Sequence, residues 1–122
     1  MRHFVTGKTL TLQLDGTYTI EEFLALVESA FHSAETPRKV AVLVDRTRSQ
    51  ATTIGPQDVR RALEYMLSWQ DRILCLAYAT HSEFYYDLMR KVASMAEFNA
   101  APRVEPFRDV EAAKAWIRQQ TA

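Results

Sequence analysis

The sequence lacks the features on which disulfide-stabilised and membrane proteins depend. It contains one cysteine, Cys75, so no disulfide can form within the chain. No stretch approaches the roughly 20 apolar residues of a membrane helix, and the N-terminal MRHFVTGK has no apolar segment of signal-peptide length. We therefore expect a cytoplasmic protein without a membrane span, whose single thiol packs as a small apolar side chain.

An excess of one charge and a set of metal ligands are also missing. Fifteen Lys and Arg residues balance fifteen Asp and Glu residues, which leaves no net field to attract nucleic acid. The three histidines, His3, His32 and His81, are far apart, and none has another ligand at the spacing of a metal site. The sequence therefore predicts no nucleic-acid partner, no metal and no cofactor.

What is present is a succession of strand and helix patterns in 122 residues, a length typical of one domain. A hairpin around Gly7 is followed by Thr19 and Glu22, which form a capping box before a helical apolar stripe. The predicted strands cover residues 3–6, 9–14, 40–44, 72–79 and 102–107. The predicted helices cover residues 20–32, a segment starting at Pro56, a segment from the 80–82 loop to about Phe98, and a segment after Asp109.

This order of elements predicts the fold class. We expect an α/β domain over residues 1–122, with a single-layer, mixed, mainly parallel sheet of about five strands, an N-terminal antiparallel hairpin and four helices. The apolar run at 40–44 shows no alternation, which is typical of a strand covered on both faces.

Several segments resemble the STAS-like (SpoIIAA-like) family, which is related to anti-sigma-factor antagonists and to the lipid-carrier (CRAL-TRIO-like) fold. They are Asp15-Gly16 with the Thr19-x-x-Glu22 box, the VAVLVD strand, the strand, loop and helix from Tyr78 to Met89, and the C-terminal FRDVEAAKAWI. The most specific piece is the C-terminal one, with Phe107, Asp109, Ala113 and Trp116. The resemblance covers nearly the whole chain.

This resemblance implies a non-catalytic regulatory or protein-interaction domain, which we expect to form a homodimer. The alternative that it implies is a carrier of a small apolar ligand or lipid. In the antagonists of this family a serine at the start of the second helix is phosphorylated. The corresponding place here reads Ile54-Gly55-Pro56-Gln57-Asp58 and has no hydroxyl. Asp58 could imitate a constant negative charge there, or it could serve the helix dipole.

The predicted loop at 45–57 is the first candidate contact surface, because ligands and partners gather at the carboxyl ends of parallel strands. Asp45 could bind a ligand or accept backbone donors of its own loop. Arg46 and Arg48, helped by Ser49, could hold a carboxylate or phosphate, or could be solvated arginines. The loop lacks the glycines of a phosphate-binding P-loop.

A second group of candidates follows the next strand. Thr80 and His81 lie beside Ser82, so a triad of serine, His81 and Asp45 in a small hydrolase is a third hypothesis. Neither Ser49 nor Ser82 lies in a G-x-S-x-G elbow, and we predict no catalytic residue.

The third candidate group lies on the helix that follows. The spacing predicts that Phe84, Leu88, Val92 and Met95 form its inward stripe, with Tyr85, Tyr86 and Met89 off that stripe. Such off-stripe side chains enlarge the core, line a ligand pocket between this helix and the sheet, or contact a second subunit. The sequence leaves these three alternatives open.

Overall fold

The strands of the protein form one mixed sheet in the computed structural model, which describes residues 1–49, 55–98 and 102–122, and of residues 95–98 the backbone alone. In these described residues the strand order is β1-β2-β3-β4-β5; β1 is antiparallel to β2, and the remaining neighbours are parallel. The strands are β1 Arg2–Thr6, β2 Thr9–Gly16, β3 Val40–Ser49, β4 Ile73–Ala79 and β5 Arg103–Phe107. The helices are α1 Ile20–His32, α2 Pro56–Leu67, α3 Glu83–Phe98 and α4 Val110–Thr121. The predicted α/β fold class is confirmed.

Local capping interactions explain where two of the helices begin. At α1, the backbone N–H of Glu22 donates to the Thr19 hydroxyl and the N–H of Thr19 donates to the Glu22 carboxylate, both at 3.1 Å. At α4, the Asp109 carboxylate accepts from the N–H of Ala112 at 2.7 Å. Each cap satisfies backbone donors that the helix leaves without partners, so both starts follow from the local sequence.

The two faces of the sheet are covered unequally. One face packs against α1, α2 and α3 and carries the larger core, which includes Leu12, Val42 and Leu76. The other face packs against α4 through small side chains such as Ala41 and Ala77. The strands β3 and β4 are therefore buried on both sides, as the run without alternation predicts.

Cys75 lies in the smaller core, against α4. Burial raises the pKa of its thiol to about 11, so the side chain stays protonated at neutral pH. It packs as a small apolar residue, as expected.

Arg72 ties the end of α1 to the segment that leads into β3. Its guanidinium donates to the carbonyl oxygens of Phe31, of Pro37 at 3.0 Å and of Arg38 at 2.9 Å. The same group lies 5.3 Å from the centroid of the Phe31 ring. One side chain thus satisfies three carbonyl groups where the helix ends and the chain turns back to the sheet.

Replacing Arg72 with alanine should lower the free energy of unfolding by about 2 kcal/mol, because these carbonyl groups lose a charged donor together. Chemical denaturation at neutral pH measures the change. The matched control is Arg60→Ala, which removes an exposed arginine whose contact with Glu64 is 3.9 Å long and which should cost at most about 0.5 kcal/mol. Equal losses in the two variants would contradict a structural role for Arg72.

Candidate functional site

The stretch after Val44 is a strand in the structure, so the prediction of a loop starting at Asp45 is wrong. The strand β3 continues to Ser49, and its last residues pair with β2 through Asp15 with Arg48 and Gly16 with Ser49. Backbone pairing needs no apolar side chains, so the end of the apolar run did not end the strand. The absence of Gly, Pro and Asn from 45–49 was the available signal. Residues 50–54 of the predicted loop lie outside the described residues.

An irregularity in this pairing divides the candidate residues between the two faces of the sheet. Gln13 pairs with Asp45 and Asp15 pairs with Arg48, so β3 has one more residue than β2 over this interval. Such an extra residue changes the direction of the side chains that follow it. Asp45, which precedes the irregularity, and Arg48, which follows it, therefore both lie on the face of α4. Arg46 lies on the face of α1 to α3.

Arg46 is buried among tyrosines, which corrects its interpretation as a solvated arginine. It is 4% exposed, and its Nε donates to the Tyr18 hydroxyl at 2.6 Å. Its guanidinium lies 3.8 Å from the centroid of the Tyr85 ring, a stacking cation–π contact. Tyr78 on β4 is the third tyrosine, and its hydroxyl interacts electrostatically with the charge of Arg46. We call these four residues the Arg46 cluster.

In the Arg46 cluster, tyrosines and not an acidic residue compensate the buried charge of Arg46. No carboxylate of a described residue lies within ion-pair distance of Arg46, and residues 50–54 contain none. Burial raises the pKa values of Tyr78 and Tyr18 above the ordinary range, although the charge of Arg46 opposes this rise. Burial disfavours the charge of Arg46, but the tyrosines raise its pKa on balance. At neutral pH the arginine is charged and the phenols are neutral hydrogen-bonding groups.

The tyrosines of this cluster come from three elements that are distant in the sequence. Tyr18 precedes α1, Tyr78 lies in β4 and Tyr85 lies in the first turn of α3. Sequence reasoning singled out Tyr85 and missed Tyr18 and Tyr78. A signal for Tyr78 was its position near the carboxyl end of a strand predicted to neighbour the strand of Arg46.

Asp45 hydrogen-bonds within its own segment, and Ser49 hydrogen-bonds to the neighbouring strand β2. One carboxylate oxygen of Asp45 accepts from the N–H of Thr47 at 2.9 Å and from the Thr47 hydroxyl at 2.6 Å. The Ser49 hydroxyl donates to the carbonyl of Leu14 at 3.1 Å. One oxygen of Asp45 therefore accepts donors of its own segment, which is one of the two alternatives for this residue, and its second oxygen makes no such contact.

Thr80 and Ser82 cap α3, and neither is placed for nucleophilic catalysis. The buried Thr80 hydroxyl accepts from the N–H of Ser82 at 3.1 Å, and the Ser82 hydroxyl accepts from the N–H of Tyr85 at 3.3 Å. His81 is exposed and makes no hydrogen bond with the described residues, Asp45 included. In the described part of the chain, these side chains do not form a triad.

The helix α3 is rotated relative to the stripe predicted from its sequence. Tyr85 and Met89 are buried, whereas Phe84 is 55% exposed. The predicted inward position of Phe84 and the predicted off-stripe positions of Tyr85 and Met89 are therefore wrong. Apolar residues occupy both possible stripes, so the spacing alone did not determine the inward face. The side chain of Met95 lies outside the described part.

Tyr86 belongs to a surface contact between α3 and the end of β5. The guanidinium of Arg108 lies 4.0 Å from the centroid of the Tyr86 ring and donates to the Glu83 carboxylate at 2.9 and 3.2 Å. This bidentate pair lowers the pKa of Glu83 through its hydrogen bond with Arg108.

A cavity beneath α2 and α3 is apolar and small. Its volume is about 40 Å³, and Tyr78, Leu76 and Met89 are among its lining residues. Ligand sites for small molecules typically measure about 300–1,000 Å³. Within the described residues, this space would hold a group the size of a water molecule rather than a lipid chain.

The described residues hold neither a candidate metal site nor a membrane-spanning helix. No group of three or more His, Cys, Asp or Glu side chains among them could hold a metal ion. No helix among them is sufficiently long and apolar to cross a membrane.

Comparison with known proteins identifies the fold. No family model matches the sequence, and no curated protein is significantly similar to it. The structure is similar to the crystal structure of an uncharacterised protein of the DUF3478 family with a SpoIIAA-like fold, from Shewanella loihica PV-4. The match covers 94% of this chain and 90% of that chain, with a TM-score of 0.61 and 18% sequence identity. The resemblance predicted from the sequence is confirmed at the level of the fold.

Proposed function

We propose that this SpoIIAA-like chain is a cytoplasmic, non-catalytic domain that binds another protein, and that the start of α3 is its contact surface. The observation that carries the proposal is the exposure of Phe84, which stands in the first turn of α3 while its neighbour Tyr85 is buried. A large aromatic side chain that is left exposed beside a buried one is a typical anchor of a protein interface.

The surroundings of Phe84 support this role. Its ring meets the Tyr85 ring edge-on, with the centroids 5.3 Å apart. Because Tyr85 also stacks on Arg46, the Arg46 cluster holds the base of this anchor in place. The pair of Glu83 and Arg108 lies beside it and supplies a charged rim. An aromatic centre with a polar rim is the usual anatomy of a protein interface.

Two further features favour binding over catalysis or lipid transport. The hydroxyls of Thr80 and Ser82 are engaged in capping α3, and His81 contacts neither of the candidate nucleophiles Ser49 and Ser82 among the described residues. The apolar cavity of about 40 Å³ is far below the size that a carried lipid needs. We propose that residues 1–122 act as one domain and that a second copy of the chain is the first partner to test.

Affinity capture from a cell lysate tests the surface, with the wild-type chain and Phe84→Ser as baits. The wild-type bait should recover partner proteins that the Phe84→Ser bait loses, because the anchor is gone while the buried side of α3 is unchanged. The matched control is Leu74→Ser, which alters another exposed apolar residue, 43% exposed, at the opposite end of β4.

Light scattering after size exclusion tests self-association in the same three proteins. The wild type and Leu74→Ser should be dimers and Phe84→Ser a monomer. If all three baits recover the same proteins and all three proteins have the same molecular mass in solution, then α3 is not the contact surface. Arg46 is unsuitable as a surface probe because its substitution disturbs the core.

A further inference from the structure

A groove opens on the face of the sheet that α4 covers only in part. The helix packs over β3 and β4, and the face of β1 and β2 extends beyond it. The space between α4 and these outer strands measures about 710 Å³, within the usual range for small-molecule sites. We call this space the α4 groove. It lies on the opposite face of the sheet from the Arg46 cluster.

The floor of the α4 groove carries polar side chains that are largely buried but keep unpartnered polar atoms accessible from the groove. Thr11, Gln13 and Asp45 are each 6% exposed and line the groove. The Gln13 carbonyl oxygen accepts from Arg2 at 2.7 Å, while its amide nitrogen makes no hydrogen bond with the described residues. The same holds for the second carboxylate oxygen of Asp45 and for the Thr11 hydroxyl. These atoms have no partner among the described residues and are accessible from the groove, so they are available to hydrogen-bond a ligand with hydroxyls.

Gln13 and Asp45 are direct neighbours across β2 and β3. An amide N–H donor and a carboxylate acceptor thus stand side by side. Adjacent hydroxyls of a sugar each carry a donor and an acceptor, so this pair can accept from one hydroxyl and donate to the next.

The walls of the α4 groove carry an excess of positive charge. Four cations line it, Lys8, Arg48, Lys114 and Arg118, against the carboxylates of Asp45 and Glu111. Lys114 lies 3.9 Å from Glu111, and the other three cations have no ion pair with a described residue. In a chain whose formal net charge is zero, this concentration of cations favours an anionic ligand.

We infer that the α4 groove binds a small phosphorylated sugar. The amide and carboxylate of the floor hold its hydroxyls, and the arginines and lysines of the walls hold its phosphate. The polar floor and walls disfavour a lipid. This site is independent of the proposed contact surface on α3, so each proposal can fail without the other.

Isothermal titration of the full chain with glucose 6-phosphate, glucose and inorganic phosphate tests the inference. Glucose 6-phosphate should bind at least about tenfold more tightly than either of the other two probes, because it alone engages both floor and walls. The double variant Lys114→Glu/Arg118→Glu should lose at least about tenfold in affinity for it. The matched control is Arg60→Glu/Arg61→Glu on α2, which makes the same change in charge at exposed positions outside the groove.

A third variant, Asp45→Asn, separates the floor from the walls. Its oxygen can still accept from Thr47, while its nitrogen replaces the oxygen that has no partner. Affinity for glucose 6-phosphate should fall relative to affinity for inorganic phosphate, because the carboxylate accepts only from the sugar hydroxyl, whereas removal of its charge favours both anions alike. Any one of three results would overturn the inference. The wild type could bind the three probes equally, or show no saturable binding at millimolar concentrations. The two double variants could also lose the same affinity for glucose 6-phosphate.

Discussion

Replacing Arg46 with alanine should lower the free energy of unfolding by about 4 kcal/mol, measured by chemical denaturation at neutral pH. The substitution removes a charged hydrogen bond to the Tyr18 hydroxyl and a desolvated cation–π contact with Tyr85. It also leaves the buried hydroxyl of Tyr78 without its charged neighbour. A buried phenol that loses its partner adds a desolvation cost to the lost contact.

Two variants decide whether the polar contacts of Arg46 carry this stability. Arg48→Ala changes the next arginine of the same strand, which is exposed, and should cost at most about 0.5 kcal/mol. Arg46→Met keeps most of the buried volume and removes the charge, so it should cost less than alanine but still destabilise the fold. If Arg46→Met is as stable as the wild type, the contacts only offset the cost of burying the charge.

The elements of the fold were predictable wherever their signals are local. The capping box of Thr19 and Glu22 and the cap at Asp109 each lie within one turn of the helix that they start, so α1 begins and ends at the predicted residues. The end of β3 was not predictable in this way. It depends on pairing with the end of β2, a contact between residues more than thirty positions apart.

The candidate site shows the same division between local and distant causes. Arg46 and Tyr85 were identifiable as unusual residues, but their contact depends on how α3 lies on the sheet. Thr11 and Gln13 alternate with leucines, a pattern that is typical of a strand with one solvent face. They are buried because β1 and α4 form walls on either side of them, which no pattern within β2 reveals.

The orientation of α3 predicts a second large loss in the free energy of unfolding. Met89→Ala should lower the free energy of unfolding by about 3 kcal/mol, because Met89 is 2% exposed and its truncation enlarges the apolar cavity that it lines. Phe84→Ala removes a larger side chain from the same helix and should cost at most about 0.5 kcal/mol, because that ring is mostly in solvent.

The order of these two losses distinguishes the two possible inward faces of α3. Leu88 and Val92 pack against the core in part, so the two orientations differ at Phe84 and Met89. If Phe84 rather than Met89 faced the core, truncating the larger phenylalanine would be the costlier change. A greater loss for Phe84→Ala than for Met89→Ala would therefore contradict the observed orientation and remove the exposed anchor of the proposed interface. If Phe84→Ala costs less stability than Met89→Ala, as expected, Phe84 contributes little to the stability of the fold. A loss of partner binding in Phe84 variants would then result from the loss of a surface contact and not from unfolding.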